Sequence, residues 1–402
     1  MKFRFNPLLA ATEPPPIPEV QSWVADRPAA AGLPLIDLLQ AVPDYPPDAG
    51  LTAYLAEKVR DARISLFTPI EGTPALREAF AADIDITYGA RVGPEQVCIT
   101  AGCNQAFYAA MIALAKTGEN ILLPTPYYFN HRMTLDMLGI EARLLPAREG
   151  SDFVPDPAEA ETLIDGGTRA VVLVTPNNPT GAIYPAETLE RFFDLAIRRR
   201  IALILDETYR DFLPPGQARP HDLFCRKEWP DALIHLYSFS KVYSLAGYRV
   251  GALVASTRFI GQMLKILDCL VICAPHVSQL AAQFGVERLG EWRRQKRQLM
   301  AERVAAFREQ VGTLANRWII GSIGAYLAYL HHPFEPLDSM QAARRLAESQ
   351  NLLCLPGSVF GPGQEAYLRC AFANVDASAM PEIARRLAGS SEAGPKEGLY
   401  NY

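Results

Sequence analysis

Seven short apolar runs constrain this chain most: Val97–Thr100, Ile121–Leu123, Ala142–Leu145, Ala170–Thr175, Ile201–Leu205, Ala232–Tyr237 and Val250–Ala255. Most are continuous rather than alternating, as expected of strands covered on both faces. Helical stretches fall between them, at Gln105–Lys116, Tyr128–Leu138 and Pro185–Arg199. Such punctuation predicts an α/β fold with a mostly parallel seven-stranded sheet flanked by helices. The sixth and seventh runs are joined by a loop too short for a helical crossover, which allows an antiparallel edge.

After about Arg258 the pattern changes to longer helices and a few short strand-like pieces, which read as a smaller α+β domain. The expected organisation is an N-terminal arm with part of the small domain over 1–60, a large domain over 61–290, and the C-terminal small domain over 291–402. The first 34 residues are proline-rich and read as irregular. Leu33–Leu39 reads as a short strand, and Pro74–Ile84 as a helix opened by its proline. The segment Ala388–Tyr402 reads as a mobile tail.

Composition excludes several classes. A net charge of −5 argues against nucleic acid or an anionic membrane as the main partner. The basic clusters Arg198-Arg199-Arg200 and Arg293–Arg297 read as solvated helix faces. No run approaches the length of a membrane span, and Pro7–Ala11 is too short for a signal segment. The seven cysteines are scattered without C-x-x-C spacing, so no metal site is expected and reduced thiols in the cytoplasm are the reading.

Chemistry concentrates at the ends of the apolar runs. The sixth gives way to Ser238-Phe239-Ser240-Lys241, with Arg249 eight residues after the lysine. A lone lysine among hydroxyl residues suits an amine whose pKa must fall before it acts as a nucleophile. Serines and a guanidinium suit a phosphate. Together they suggest pyridoxal phosphate (PLP) held as a Schiff base on Lys241; the other reading is a buried-loop lysine. Tyr237 and Lys241 also form the Y-x-x-x-K of short-chain dehydrogenases, but the chain has no G-x-G-x-x-G turn. Gly102-Cys103-Asn104 opens a helix, whose free N–H groups make either a phosphate cradle or an ordinary turn. Pro176-Asn177-Asn178-Pro179-Thr180-Gly181 fixes an amide at a strand end, where ligands bind in α/β sheets, or is a surface turn. Asp206, with Tyr209 three residues on, needs a cationic partner at the end of a buried strand. Arg369, in a late apolar strand, fits either a carboxylate ligand or an internal salt bridge.

These motifs, S-F-S-K-x7-R-V-G, P-N-N-P-T-G, D-E-x-Y, A-G-C-N-Q-A and the late strand arginine, resemble those of the fold-type I PLP enzymes in order and spacing. They are most similar to the class I/II aminotransferases related to aspartate aminotransferase, over about residues 33–387. The resemblance implies a PLP-dependent transferase fold and transfer of an amino group between an α-amino acid and a 2-oxo acid, in a homodimer with the active site shared across its interface. The alternative is another fold-type I reaction, such as a C–S lyase, decarboxylase or oxidative Cα enzyme.

The resemblance also implies roles. Lys241 is the Schiff-base lysine and proton carrier, and Asp206 the pyridinium partner. Asn178 and Tyr209 bond the phenolic oxygen, and Tyr128 stacks on the ring. Ser238, Arg249 and the amides of Gly102, Cys103 and Asn104 hold the phosphate. Arg369 clamps the substrate α-carboxylate, with Asn178 beside it. Two positions depart from the family pattern. Ala41 stands where a glycine approaches the substrate carboxylate, and Phe67 where a tyrosine reaches the partner's phosphate.

Overall fold

The protein is described by a computed structural model over residues 3–25, 32–217, 219–314 and 318–392. Its strands are β1 (Ile36–Asp37), β2 (Val97–Thr100), β3 (Asn120–Thr125), β4 (Glu141–Pro146), β5 (Thr168–Val174), β6 (Ala202–Asp206), β7 (Leu233–Ser238), β8 (Gly251–Val254), β9 (Ile319–Gly324), β10 (Leu327–His331), β11 (Leu352–Leu353), β12 (Leu355–Pro356) and β13 (Tyr367–Ala371).

Seven of these form one sheet in the order β2-β8-β7-β6-β5-β3-β4. All pairings are parallel except those of β8, which runs antiparallel to both β7 and β2. The reversed strand is therefore not the expected edge. The loop after β7 turns the chain back at once, and β2 then pairs with the open side of β8.

Alternate residues of these strands enter two different cores. Ile121 and Leu123 face a cluster with Ala106 and Met111 of the helix Cys103–Leu114 and Met263 of the helix Thr257–Leu270. Leu122, Leu173 and Leu203 face the other, with Leu189, Phe192 and Phe193 of the helix Ala186–Arg199. Burial on both faces is why these runs read as continuous.

A second sheet, β12-β13-β10-β9, and the parallel pair β1–β11 form a smaller body. The helices Gly290–Gly312, Ser339–Gln350 and Met380–Glu392 cover it. This last helix extends into the stretch expected to be a mobile tail, and residues 393–402 lie outside the described residues.

The N-terminal segment is not irregular. It forms helices Pro7–Ala11 and Pro16–Ala25. Their prolines lie in the first turn or near it, where a missing N–H costs little. Pro16, Val20 and Trp23 bury one stripe of the second helix, which packs against Ser339–Gln350. The second basic cluster is a solvated face only in part, with Arg294 exposed. Arg293 is held between Asp83 and Asp211 (2.8 Å to Asp211 Oδ1), and Arg297 Nε donates to the Leu213 carbonyl at 2.8 Å. Arg198 and Arg199 do stay on the surface, pairing with Glu161. Among the described residues no helix is long and apolar enough to cross a membrane.

Candidate active site

The C-terminal ends of β5, β6 and β7 open into one cavity of about 510 Å³, closed on the far side by β13 and the N-terminal segment. Ala41, Cys103, Asn104, Tyr128, Asn178, Asp206, Tyr209, Ser238, Lys241, Arg249 and Arg369 all line it. Gly102 lies just behind. Its φ of +87° begins the helix Cys103–Leu114, and the Arg249 guanidinium fills the place a Cβ would take. The backbone conformation favours glycine there, and a side chain would also push the Arg249 guanidinium aside. Beside it, the first amides of that helix lack intrahelical partners.

Asp206 ends β6, buried on the cavity floor. Its Oδ1 accepts from the Thr208 amide at 3.0 Å, and His131 Nε2 lies 3.4 Å from Oδ2. Cys103 Sγ is 3.7 Å from the same oxygen. Burial works to raise this carboxyl, but hydrogen bonding and attraction from His131, with the Thr208 donors, outweigh it and hold it below the usual carboxylate value. His131 is itself fixed by stacking on Phe107, ring centroids 3.9 Å apart.

Lys241 reaches the centre of the cavity. Its amine donates to the Ala41 carbonyl at 2.7 Å and lies 5.4 Å from the Tyr209 ring centroid. Burial, then the nearby charges of Arg369 and Arg249, push its pKa down to about 8. Burial also raises the Tyr209 phenol and lifts Tyr128 to about 12, so both hydroxyls stay protonated donors at neutral pH.

Arg369 crosses from β13 to meet the large sheet's loops. Nη1 donates to Asn178 Oδ1 at 3.1 Å, Nη2 bonds the Leu39 carbonyl, and the buried Nε has no partner. The P-N-N-P-T-G loop explains why Asn178 is available. Asn177 turns inward, accepting from Thr180 Oγ1 (2.9 Å) and donating to the Tyr184 hydroxyl (3.1 Å), which knits the loop and leaves the second amide facing the cavity.

A match to the family model described as aminotransferase class I and II spans residues 31–387. The chain belongs to this family. Among similar proteins, an aromatic aminotransferase (ISS1) of Arabidopsis thaliana is 29% identical over 88% of this chain and 88% of its own length. An aspartate aminotransferase of Pyrococcus horikoshii is 27% identical over 79% of this chain and 81% of its own. The Thermus thermophilus aspartate aminotransferase solved with maleate superposes with a TM-score of 0.87 at 23% identity, covering 97% of this chain and 100% of that one.

Class I and II aminotransferases are PLP-dependent enzymes of amino-group transfer, and so is this one. Its cavity fits the cofactor. A buried carboxylate suits a protonated ring nitrogen, a depressed amine suits an aldehyde, and helix amides with Arg249 suit a phosphate. The orphaned Nε of Arg369 marks a further anion position.

Several residues in or behind the cavity wall were not read from the sequence. His131 carries a signal in retrospect, lying three residues after Tyr128 and therefore on the same helix face. Thr208 and Ser240 sit inside motifs whose other members drew attention. Ile17, Pro18 and Gln21 line the cavity from a helix the sequence did not suggest, with Pro15 just before it. Tyr237 does not join Lys241 as the Y-x-x-x-K spacing invited; its hydroxyl donates to Asp211 at 2.7 Å.

Proposed function

We propose that Lys241 is the covalent attachment point of PLP and the base that carries the proton from the substrate Cα. The observation supporting this most directly is the Lys241 amine, lowered to about 8 in a cavity that Asp206 and Arg369 also line. When bound, the cofactor supplies an electron sink for the bond broken at the substrate Cα. Asp206 keeps the ring nitrogen protonated, and His131 and Thr208 keep Asp206 ionised and oriented. Asn178 and Tyr209 hold the phenolic oxygen, and Tyr128 packs on the ring face. Ser238, Arg249 and the amides of Gly102, Cys103 and Asn104 hold the phosphate. Arg369 takes the α-carboxylate through its open Nε edge while Asn178 fixes the guanidinium plane. Ala41 contributes its carbonyl to Lys241, holding the amine at the cavity centre.

We further infer a homodimer, with Phe67, 77% exposed on this chain, turned towards the second subunit. Cytoplasmic residence fits the seven free cysteines. The division into 1–60, 61–290 and 291–402 fits the placement of the two larger sheets.

Borohydride reduction of the holoenzyme should fix the cofactor on the peptide containing Lys241. A label on Lys265, or none, would end this reading. In the apoprotein, a lysine with a pKa of about 8 becomes neutral as pH rises through that value. At pH 7 about a tenth of it is neutral, against about three parts in ten thousand for a free lysine. Amine-directed labelling of Lys241 should therefore reach half its maximum rate near pH 8, while exposed lysines lag by about two pH units.

A further inference from the structure

Lys241 is held at both ends by groups from outside its own loop. At the tip, Nζ donates to the Ala41 carbonyl at 2.7 Å. At the backbone, the Lys241 carbonyl accepts from the Tyr326 hydroxyl at 3.1 Å, besides a longer bond of 3.3 Å from the Ser244 amide within the loop. The next carbonyl, that of Val242, accepts from Trp292 Nε1 at 2.8 Å. Lys241 lies beyond the end of β7, where no strand ladder fixes the backbone, so these donors carry that task.

Tyr326 sits in the two-residue turn between β9 and β10, fully buried, with its ring against those of Tyr209 and Phe212 (centroids 5.4 and 4.6 Å apart). Its hydroxyl lies 3.2 Å from that of Tyr45. A phenol has one proton to give, and Tyr326 gives it to the Lys241 carbonyl, which only accepts. Tyr45 is therefore the donor to Tyr326, and the order runs from Tyr45 through Tyr326 to the lysine. Burial raises both phenols, so both protons stay in place at neutral pH. Tyr45 is itself anchored to the small body. Its neighbour Asp44 lies 2.8 Å from Arg303 Nη2 and donates its amide to the Ala373 carbonyl at 3.2 Å, and the Tyr45 ring meets Trp292 edge-on.

We propose that Tyr326 and Tyr45 are positioning residues for Lys241, Tyr326 fixing the lysine's backbone carbonyl and Tyr45 orienting the Tyr326 hydroxyl. This rests on the reading of Lys241 as attachment point and proton carrier, and deepens it. A four-carbon side chain delivers a proton to a defined atom only from a fixed Cα, and a small displacement of the backbone spreads the reach of Nζ. Neither tyrosine touches Arg369, which takes the substrate carboxylate in that reading. The relay thus bears on the proton-moving step rather than on substrate affinity. Its two members also act in series, because the Tyr45 hydroxyl matters only while Tyr326 carries one.

The test is single-turnover bleaching of the yellow holoenzyme, native and as Tyr326→Phe, Tyr45→Phe and the double variant. The fastest of L-glutamate, L-aspartate, L-methionine and L-phenylalanine serves as donor. Tyr326→Phe keeps the ring packing and should lower the limiting rate by about five- to twentyfold, with the half-saturating concentration changed less than about twofold. Tyr45→Phe, at a half-buried position, should cost about two- to fivefold. The double variant should stay within about twofold of Tyr326→Phe, as residues in series do. In the apoproteins, hydrogen exchange over 239–248 should quicken severalfold in Tyr326→Phe and less in Tyr45→Phe. Unchanged rates and exchange, a loss expressed in the half-saturating concentration, or single effects that multiply in the double variant would each overturn the inference. Borohydride labelling separates this from the reading beneath it. Label on Lys241 with such a result leaves that reading standing, whereas native enzyme labelled elsewhere, or bleached by none of the four donors, would overturn both.

Discussion

The floor and the upper wall of the cavity are built in opposite ways. On the floor, Asp206 and Arg369 are buried and Lys241 half-buried, and all three are charged and held by short polar contacts from several directions. On the wall, Ile17 is half-buried and Pro18, Gln21 and Gln40 are exposed, and what holds the first three is one apolar stripe on the back of a ten-residue helix. A buried charge must be answered by partners at fixed positions, which restricts the sequence over several loops at once. An exposed neutral wall places no such demand. Chemistry is therefore written into motifs, whereas the wall leaves no comparable motif.

If that contrast is right, floor substitutions should be far more costly than wall substitutions. Asp206→Asn keeps the shape and removes the charge. It leaves a protonated ring nitrogen unanswered inside a buried site, an imbalance of about 3–5 kcal/mol. The first half-reaction should slow by roughly two to four orders of magnitude. Stopped-flow bleaching with a reactive donor measures it directly, and a loss below fivefold would remove Asp206 from the role of ring partner.

Arg369→Lys comes next. The charge stays, but the planar fork that meets Asn178 and leaves Nε open is lost. A single ammonium cannot hold Asn178 and a carboxylate in the same plane. The cost is about 3–4 kcal/mol of charge-assisted pairing, or two to three orders of magnitude in rate with amino acids. Cofactor absorbance should survive. Normal transamination by the variant would make the arginine a structural link between β13 and the P-N-N-P-T-G loop.

The same contrast explains what could be read from the sequence. The seven-stranded sheet was legible because strands buried on both faces leave unbroken apolar runs, and Asp206, Lys241 and Asn178 were legible because each interrupts or follows such a run. The position of β8 was not, because strand order depends on which open edge β2 later fills. His131 was missed because a histidine on a helix is chemically unremarkable until Asp206 is seen 3.4 Å away. The helix Pro16–Ala25 was missed for a different reason. Four prolines between Glu13 and Glu19 look like an irregular arm, and the stripe of Pro16, Val20 and Trp23 acquires meaning only against Ser339–Gln350.

Phe67 sharpens the comparison at its smallest expected effect, because it is exposed like the wall yet occupies a position tied to the floor. It follows the short turn Ala62–Ser65, and its ring meets none of the cavity on its own chain. In the dimer proposed above, a phenol there would donate to the phosphate of the other subunit, whereas phenylalanine keeps the ring and drops the donor. Tyr45 and Tyr243 of the same chain do not replace it. The Tyr45 hydroxyl lies 3.2 Å from that of Tyr326, and Tyr243 is buried against Phe239, neither of them in the cavity wall. A hydrogen bond to a charged group contributes about 1.5–3 kcal/mol, part of which a bridging water can supply where the phenol is missing. Phe67→Tyr should therefore tighten PLP retention by up to about tenfold, read as slower cofactor loss under dialysis at equal protein concentration. The gain should vanish when the variant is diluted to monomer, since the donor serves the opposite subunit. Unchanged or faster loss at high concentration would mean that the Phe67 loop turns away from the phosphate, and that the floor of each site is completed within one chain.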